Sequence, residues 1–207
     1  MTKLILTRHG HVEGISPERF RGRTDVPLTD LGAAQADALA ARISGAWTPR
    51  AVYTSPMTRC VATGAKIAKT CGIVAKVLDD LNDLDYGQWQ WRTPEEVAAA
   101  WPDLLNKWYA TPQLMRFPGG DSLQDLVARA ADALRFVLAR HQVSSDTVVL
   151  VGHDSVNRAL LLQLLDQPLS AYWRVAQLPC AINEIDIVSG QVRVLCINDT
   201  SHVRALA

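Results

Sequence analysis

Short runs of apolar residues alternate with amphipathic segments along most of the chain. Continuous apolar runs are typical of strands that are buried on both faces, and they predict four strands. These runs occupy residues 3–7, 51–54, 73–78 and 147–151. Elsewhere apolar residues recur at helical spacing, and Ser55-Pro56 is expected to begin one of these helices, with proline in its first turn. The helical segments are residues 31–43, 55–71, 122–141 and 158–165.

Two regions depart from this alternation. Residues 181–197 alternate apolar and polar positions around a turn at Ser189-Gly190, which predicts a hairpin at a sheet edge. Residues 88–122 concentrate tryptophan, start a short helix near Thr93, and are interpreted as an insertion that caps the sheet. We therefore predict a single α/β domain over residues 1–207. Its architecture is a three-layer α/β/α sandwich with a mostly parallel central sheet and a small cap insertion at about residues 88–122.

Composition narrows the class of protein. The formal net charge is +0, so nothing favours nucleic acid or an anionic membrane as a partner. No apolar run is long enough to span a bilayer, and a strand begins almost at the N-terminus, which leaves no room for a signal peptide. The four cysteines are far apart and form neither a metal motif nor a disulfide framework, as is typical of the reducing cytoplasm. We expect a cytoplasmic protein.

Several polar residues share one position in this predicted topology, the carboxyl end of a strand or the start of the next helix. Arg8 and His9 follow the first strand, Arg59 the second, Asp83 the third and His153 the fourth. Ligands bind at this end of parallel strands. Guanidinium groups bind phosphate bidentately, imidazole is a nucleophile toward phosphorus, and a carboxylic acid can protonate a leaving oxygen. The set indicates phosphoryl chemistry.

Each of these residues taken alone has a simpler explanation. His153 could be a core histidine, Arg59 a solvated helix residue and Asp83 a turn residue. Two histidines and one aspartate could also bind a metal, but two nearby arginines would repel a divalent cation, and no metal site is predicted. The remaining histidines, of which only the first is a candidate contact, are His11, His141 and His202.

The stretch from residue 11 to residue 30 is polar and too long for a simple connection, which marks it as a candidate functional loop. Arginines recur along it at Arg19, Arg21 and Arg23. They are either substrate contacts or a solvated face of the loop.

The same residues carry a resemblance to the histidine phosphatase superfamily, in its phosphoglycerate-mutase-like branch, where broad-specificity and α-ribazole-phosphatase-like phosphatases belong. The resemblance spans nearly the whole chain, because its motifs occur in order from end to end. The matching motifs are Arg8-His9-Gly10; Arg19, Gly22, Asp25 and Pro27-Leu28-Thr29; Leu31-Gly32 and Gln35-Ala36; Tyr53-Thr54-Ser55-Pro56 with Arg59; Leu81 to Gly87; Gly119-Gly120-Asp121-Ser122; and Val151-Gly152-His153.

The resemblance implies a phosphohistidine mechanism without a metal or another cofactor. His9 would accept the phosphoryl group, while Arg8, Arg59 and His153 hold its oxygens. Asp83 would be the proton donor and then the base for water. To donate a proton near neutral pH, Asp83 needs a raised pKa, most simply through burial under the tryptophan-rich cap.

Three departures from the family pattern concern the substrate. The acid position holds Asp83 where glutamate is usual, and His11 stands where glutamate is common. Gly14-Ile15 replaces a Trp-Asn pair, so an amide donor to phosphate is missing and Ile15 leaves an apolar wall. Arg19 or Arg21 is expected to compensate, and Gly22 beside them is included among the substrate-binding positions.

The resulting prediction is a histidine acid phosphatase-type phosphoric monoester hydrolase. It would hydrolyse a small phosphorylated metabolite: a sugar phosphate, a nucleotide-derived phosphate such as α-ribazole phosphate, or a phosphorylated acid. Phosphoglycerate mutase activity is one alternative, disfavoured because the mutases carry a longer insertion after the acid motif. A non-catalytic phospholigand-binding protein is the other. Neither nucleic acid nor membrane is an expected partner, and the oligomeric state is left open, with a homodimer as one option.

Overall fold

A six-stranded mixed sheet forms the centre of the molecule in the computed structural model, which describes residues 1–141 and 146–206. The strand order is β3-β2-β4-β1-β5-β6. Pairs among β1 to β4 are parallel, whereas β5 and β6 add an antiparallel hairpin at one edge. The α/β class, the mostly parallel sheet and the edge hairpin are confirmed. The strands are β1 Thr2–Arg8, β2 Pro49–Thr54, β3 Ala75–Val77, β4 Thr147–Gly152, β5 Ile182–Val188 and β6 Gln191–Asp199.

Helices cover both faces of this sheet. On one face, α1 and α2 contribute Ile43 and Ile67 to a core that includes Ile5 of β1. On the other, α5 and α6 contribute to a second core cluster that includes Leu4 and Leu150. Because neighbouring residues of β1 point to opposite cores, its central residues Leu4, Ile5 and Leu6 are all apolar. The helices are α1 Asp30–Ala46, α2 Thr58–Thr70, α3 Pro94–Ala100, α4 Pro102–Ala110, α5 Leu123–Arg140 and α6 Asp154–Leu164.

The start of α2 differs from the prediction. Ser55 still donates its backbone N–H to Val151 at 3.0 Å, as a strand residue would, so Pro56 lies before the helix. The helix begins at Thr58, whose backbone N–H and hydroxyl both bind the Asp25 carboxylate. The Asp25 side chain from the long loop therefore caps this helix, which begins later than the predicted start at Ser55-Pro56.

Residues 88–122 contain α3, the unpredicted α4, and short 3₁₀ turns. Thr93 begins α3 with the predicted capping box. Trp89, Trp108 and Phe117 are buried and meet edge to face in the core cluster that also holds α5 and α6. The interpretation of this segment as a cap on a single domain stays a prediction. Within the described ranges, no helix is both long enough and apolar enough to cross a membrane.

Candidate active site

The five residues predicted to share a site converge at the carboxyl edge of the sheet. Arg8 ends β1 and is paired in register with Gly152, the last residue of β4, so His9 and His153 leave adjacent strands side by side. Their rings meet edge to face at 5.3 Å between centroids. Arg59 arrives on the first turn of α2, and Asp83 arrives on the loop after β3. All five side chains are buried.

A cavity opens at this edge, and only part of the predicted set lines it. Arg8, His9 and Asp83 are in its wall, whereas Arg59 and His153 lie behind them. Loop residues and aromatic side chains complete the wall. These are Glu18, Arg19, Phe20, Arg21, Gly22, Tyr86, Trp108, Tyr109, Asp154, Ser155 and Trp173.

His9 is held in one tautomer. Its Nδ1 lies 2.7 Å from the Gly10 carbonyl oxygen, which can only accept, so Nδ1 carries the proton. The lone pair is therefore on Nε2, on the side of the ring left for the cavity. Burial, together with the Arg59 and Arg8 guanidinium groups, lowers the pKa of His9 well below its ordinary value. The ring is neutral at physiological pH, as a nucleophile must be.

Arg8 is oriented by a single contact. Its Nη1 donates to the backbone carbonyl of Gln177 at 2.7 Å. Its Nε is buried and has no hydrogen-bond partner within the described residues. The guanidinium thus lies in the wall of the cavity, with its Nε buried behind that wall.

Arg59 donates hydrogen bonds to other groups of the protein. Its Nη1 binds the Thr24 carbonyl at 2.9 Å, and its Nη2 binds the Gly22 carbonyl at 2.6 Å and the Asp83 carboxylate at 3.1 Å. Its Nε donates to His153 at 3.3 Å. These bonds use four of the five N–H donors of Arg59, so one donor on Nη1 is left for a phosphate oxygen. Its phosphate-binding role stays a prediction.

His153 is neutral and lies behind the residues that line the cavity. Its Nδ1 lies 3.3 Å from Nε of Arg59 and 3.3 Å from Oδ2 of Asp83, and its Nε2 lies 2.7 Å from the Ser55 hydroxyl. Burial lowers the pKa of His153 to about 3, against the opposing effect of Asp83. Its predicted contact with phosphate stays a prediction.

The pKa of Asp83 is shifted in the direction opposite to the one predicted from the sequence. Burial favours the protonated acid, but the positive charge of Arg59 and hydrogen bonds to the carboxylate outweigh it. Ser155 donates to the carboxylate, as does the backbone N–H of Leu84 at 2.9 Å. The pKa of Asp83 is therefore lowered rather than raised, and the group is ionised at neutral pH without a ligand. The sequence predicted burial correctly but missed these partners.

The candidate loop contributes to the cavity as expected. Arg21 lines the wall, and burial with the nearby Arg8 charge lowers its pKa to about 10, so it remains a cation. Arg19 also lines it and donates to the Trp91 carbonyl at 2.7 Å. Gly22 has φ +47°, and a Cβ there would come within 2.7 Å of the Leu84 carbonyl oxygen. Only glycine fits at that position.

Arg23 and the three secondary histidines lie outside the cavity wall. Arg23 pairs with Asp85 and Asp121. Ile15 is also outside, but it lines a neighbouring cleft together with Arg8 and Arg21. The histidines bind within the fold: His11 to Thr29, His141 to Asp146 and His202 to the Cys180 carbonyl.

A model of the histidine phosphatase superfamily (branch 1) matches residues 4–200. The match includes every residue of the site described above. The chain belongs to the histidine phosphatase superfamily.

Individual superfamily members agree with this assignment. Phosphoserine phosphatase 1 of Hydrogenobacter thermophilus is 30% identical over 98% of this chain and 95% of that protein. The fold of Bacillus stearothermophilus YhfR superposes with a TM-score of 0.92 at 27% identity, covering 99% of this chain and 100% of that one. Entamoeba histolytica phosphoserine phosphatase, solved in complex with 3-phosphoglyceric acid, superposes with a TM-score of 0.86 at 26% identity, covering 98% and 100%.

Two carboxylates in the wall of the cavity were not predicted from the sequence. Asp154 is the first residue of α6, directly after His153, and Glu18 lies in the candidate loop. Their proximity in sequence to residues already chosen was the available signal. Asp154 is paired with Arg158 at 3.0 Å. In the parts of the chain that are described, no group of three His, Cys, Asp or Glu side chains is arranged to hold a metal.

The lowered pKa of His9 gives a direct spectroscopic prediction. The ring stays neutral as the pH falls through about 6.5, where an ordinary histidine is half protonated. Histidine ring resonances measured between pH 8 and pH 6 should show no titration of His9. The signal is assigned by its loss in His9→Asn. A midpoint at or above about 6.5 would contradict the electrostatic account.

Proposed function

We propose that the protein is a metal-independent phosphomonoesterase that hydrolyses a small phosphate ester through a phosphohistidine on His9. The observation that carries this proposal is the neutral His9 ring, whose Nδ1 is tied to the Gly10 carbonyl and whose Nε2 lone pair is left for the cavity. The Arg8 guanidinium in the same wall supports a phosphate beside it. Membership of the superfamily supports both assignments.

In the first step, Nε2 of His9 attacks phosphorus. The new N–P bond forms as the bond from phosphorus to the ester oxygen breaks, and the leaving oxygen takes a proton from Asp83. In the second step, water attacks the phosphohistidine. Its proton goes to the Asp83 carboxylate, the N–P bond breaks, and phosphate leaves. The net reaction consumes one water and yields an alcohol and phosphate.

Asp83 must gain a proton before the first step, and the ligand-free site holds it ionised. A bound phosphate dianion would place negative charge beside Asp83 and compete with it for Arg59, whose Nη2 lies 3.1 Å from the carboxylate. Both effects raise the pKa of a carboxyl group. Substrate binding therefore favours the protonated form of Asp83, which is the form that donates a proton in the first step.

The wall of the cavity supports a substrate that carries charge beyond its phosphate. Arg21 and Arg19 could receive a carboxylate, while Glu18 and Asp154 could receive an ammonium group. Phosphoserine carries both groups, and proteins named as phosphoserine phosphatases are among the relatives of this chain. We therefore place phosphoserine first among candidate substrates, ahead of sugar phosphates and phosphoglycerate.

The test is turnover of p-nitrophenyl phosphate and of a panel of phosphometabolites headed by phosphoserine, each with and without a chelator. We expect phosphate release that is unchanged by the chelator. Sulfate binding without turnover of any ester would instead support the non-catalytic alternative. Loss of activity on chelation, restored by a divalent metal, would overturn metal independence.

Arg21 and Arg23 provide a matched test of the loop. Arg21 lines the cavity, whereas Arg23 pairs with Asp85 and Asp121 outside it. Arg21→Ala should raise KM by about tenfold to a hundredfold, since a charge-assisted hydrogen bond contributes about 1.5–3 kcal/mol. Arg23→Ala should leave KM close to that of the wild type. Equal KM values for the two variants would remove Arg21 from the binding site.

A further inference from the structure

Three buried amide side chains form a cluster behind Arg8, outside the groups that the proposed reaction uses. Gln177, Asn183 and Asn157 are at most 2% exposed. They come from the loop before β5, from β5 itself and from α6. Burying amides is unfavourable unless their hydrogen bonds are made, so such a cluster needs a compensating arrangement.

Gln177 and Asn183 bind each other reciprocally. Nε2 of Gln177 donates to Oδ1 of Asn183 at 2.8 Å, and Nδ2 of Asn183 donates back to Oε1 of Gln177 at 2.9 Å. Asn157 adds a third bond, from its Nδ2 to Oε1 of Gln177 at 3.3 Å. The Gln177 side chain is thus clamped from two separate elements of the fold.

The clamp also ties this loop to the strand that bears Arg8. Nδ2 of Asn183 donates to the Leu6 carbonyl of β1 at 3.0 Å. The backbone N–H of Leu178 binds Oδ1 of Asn198 at 2.8 Å, which anchors the next residue of the loop to β6. Residues 176–178 belong to no helix or strand, so these side-chain bonds replace the regular hydrogen bonding that would otherwise fix their backbone.

The clamped backbone then acts on Arg8. The Gln177 carbonyl accepts a hydrogen bond from Nη1 of Arg8 at 2.7 Å. Within the described residues, this is the one hydrogen bond that the Arg8 guanidinium makes. Because Nη1 is occupied there, the plane of the guanidinium is set and its buried Nε is left without a protein partner. The orientation of the Arg8 guanidinium in the cavity wall therefore depends on where the Gln177 carbonyl lies.

We propose that Gln177, held by Asn183 and Asn157, is a positioning residue that aims Arg8 at the phosphate of the substrate. This inference rests on the proposed function for the identity of the ligand. Without the clamp, the carbonyl moves, the guanidinium rotates, and the bidentate contact with the anion is lost.

The experiment measures the Kd of sulfate, a stable dianion, and kcat/KM for p-nitrophenyl phosphate. In Gln177→Met, which keeps the length of the side chain and removes its bonds, we expect the Kd to rise and kcat/KM to fall, each by about tenfold. In an Arg8→Lys background the same substitution should change the Kd by less than about twofold, since its effect passes through Arg8. Val137→Ala, a core substitution in α5, controls for lowered stability alone and should leave the Kd unchanged.

A second variant guards against a failure of Gln177→Met to fold. Asn157→Leu removes one bond of the clamp, and Oδ1 of Asn157 has no partner to lose within the described residues. We expect a smaller rise in Kd, in the same direction.

An unchanged Kd in the folded variants, or an undiminished effect in the Arg8→Lys background, would overturn the inference. A wild type that binds sulfate but hydrolyses no ester would reject the proposed function while leaving the sulfate comparison decisive. A wild type that binds no sulfate would reject both.

Discussion

Replacing His9 with alanine is expected to lower the turnover number by more than about 10⁴-fold, as loss of a covalent nucleophile does in other enzymes. No other neutral imidazole lines the cavity to replace it, because His153 lies behind the wall with both ring nitrogens engaged. The ring of His9 contributes one hydrogen bond, to Gly10 next to it in the chain, so the fold should survive. Turnover of p-nitrophenyl phosphate and thermal unfolding measure the two effects.

His11 is the matched control for this substitution. It lies two residues along the same loop, outside the cavity wall, with its Nδ1 bonded to the Thr29 hydroxyl at 2.9 Å. His11→Ala should keep turnover within about tenfold of the wild type. Sulfate should still raise the unfolding temperature of His9→Ala, because Arg8 is intact. Near-normal turnover by a folded His9→Ala protein would refute the mechanism.

Replacing Asp83 with asparagine is expected to separate substrates by their leaving groups. General-acid catalysis contributes about 10²–10⁴-fold, and an alkoxide needs the proton whereas p-nitrophenolate does not. The rate of phosphoryl transfer from phosphoserine should therefore fall by about that factor, and the rate from p-nitrophenyl phosphate by less than about tenfold. Single-turnover measurements isolate this step from the later hydrolysis, for which Asp83 also serves as the base.

Ser155→Ala is the control for Asp83→Asn. It removes the hydroxyl that donates to the Asp83 carboxylate and leaves the acid in place. Both substrates should then change by similar, small factors. If Asp83→Asn also slows both substrates equally in single turnover, the proton comes from another group, and Asp154 and Glu18 are the remaining carboxylates in the wall.

Much of this arrangement follows from the chain order. A buried apolar run that ends at Arg8-His9, and another that ends at Gly152-His153, place these residues together once the strands are parallel neighbours. The register of a buried strand follows its pattern of apolar residues, so it can be predicted from the sequence. The family motifs then supply Arg59 and Asp83 at the same edge.

The parts that the sequence did not predict depend on contacts between distant segments. The pKa of Asp83 is lowered by Arg59 and Ser155, which lie on two other elements of the fold. The start of α2 is set by Asp25, from a loop that no periodicity describes. Only the structure shows that Arg59 directs four of its five N–H donors at acceptors within the protein.

The most direct test of the account is to trap the phosphoryl group on the protein. The enzyme is mixed with labelled substrate, quenched in alkali within a single turnover, digested, and mapped by mass spectrometry. The account predicts a base-stable, acid-labile phosphoryl group on His9 that forms and decays at rates compatible with turnover and is missing in His9→Ala. Complete hydrolysis in a single turnover with no protein-bound phosphoryl group, or with that group on a different residue, would contradict it.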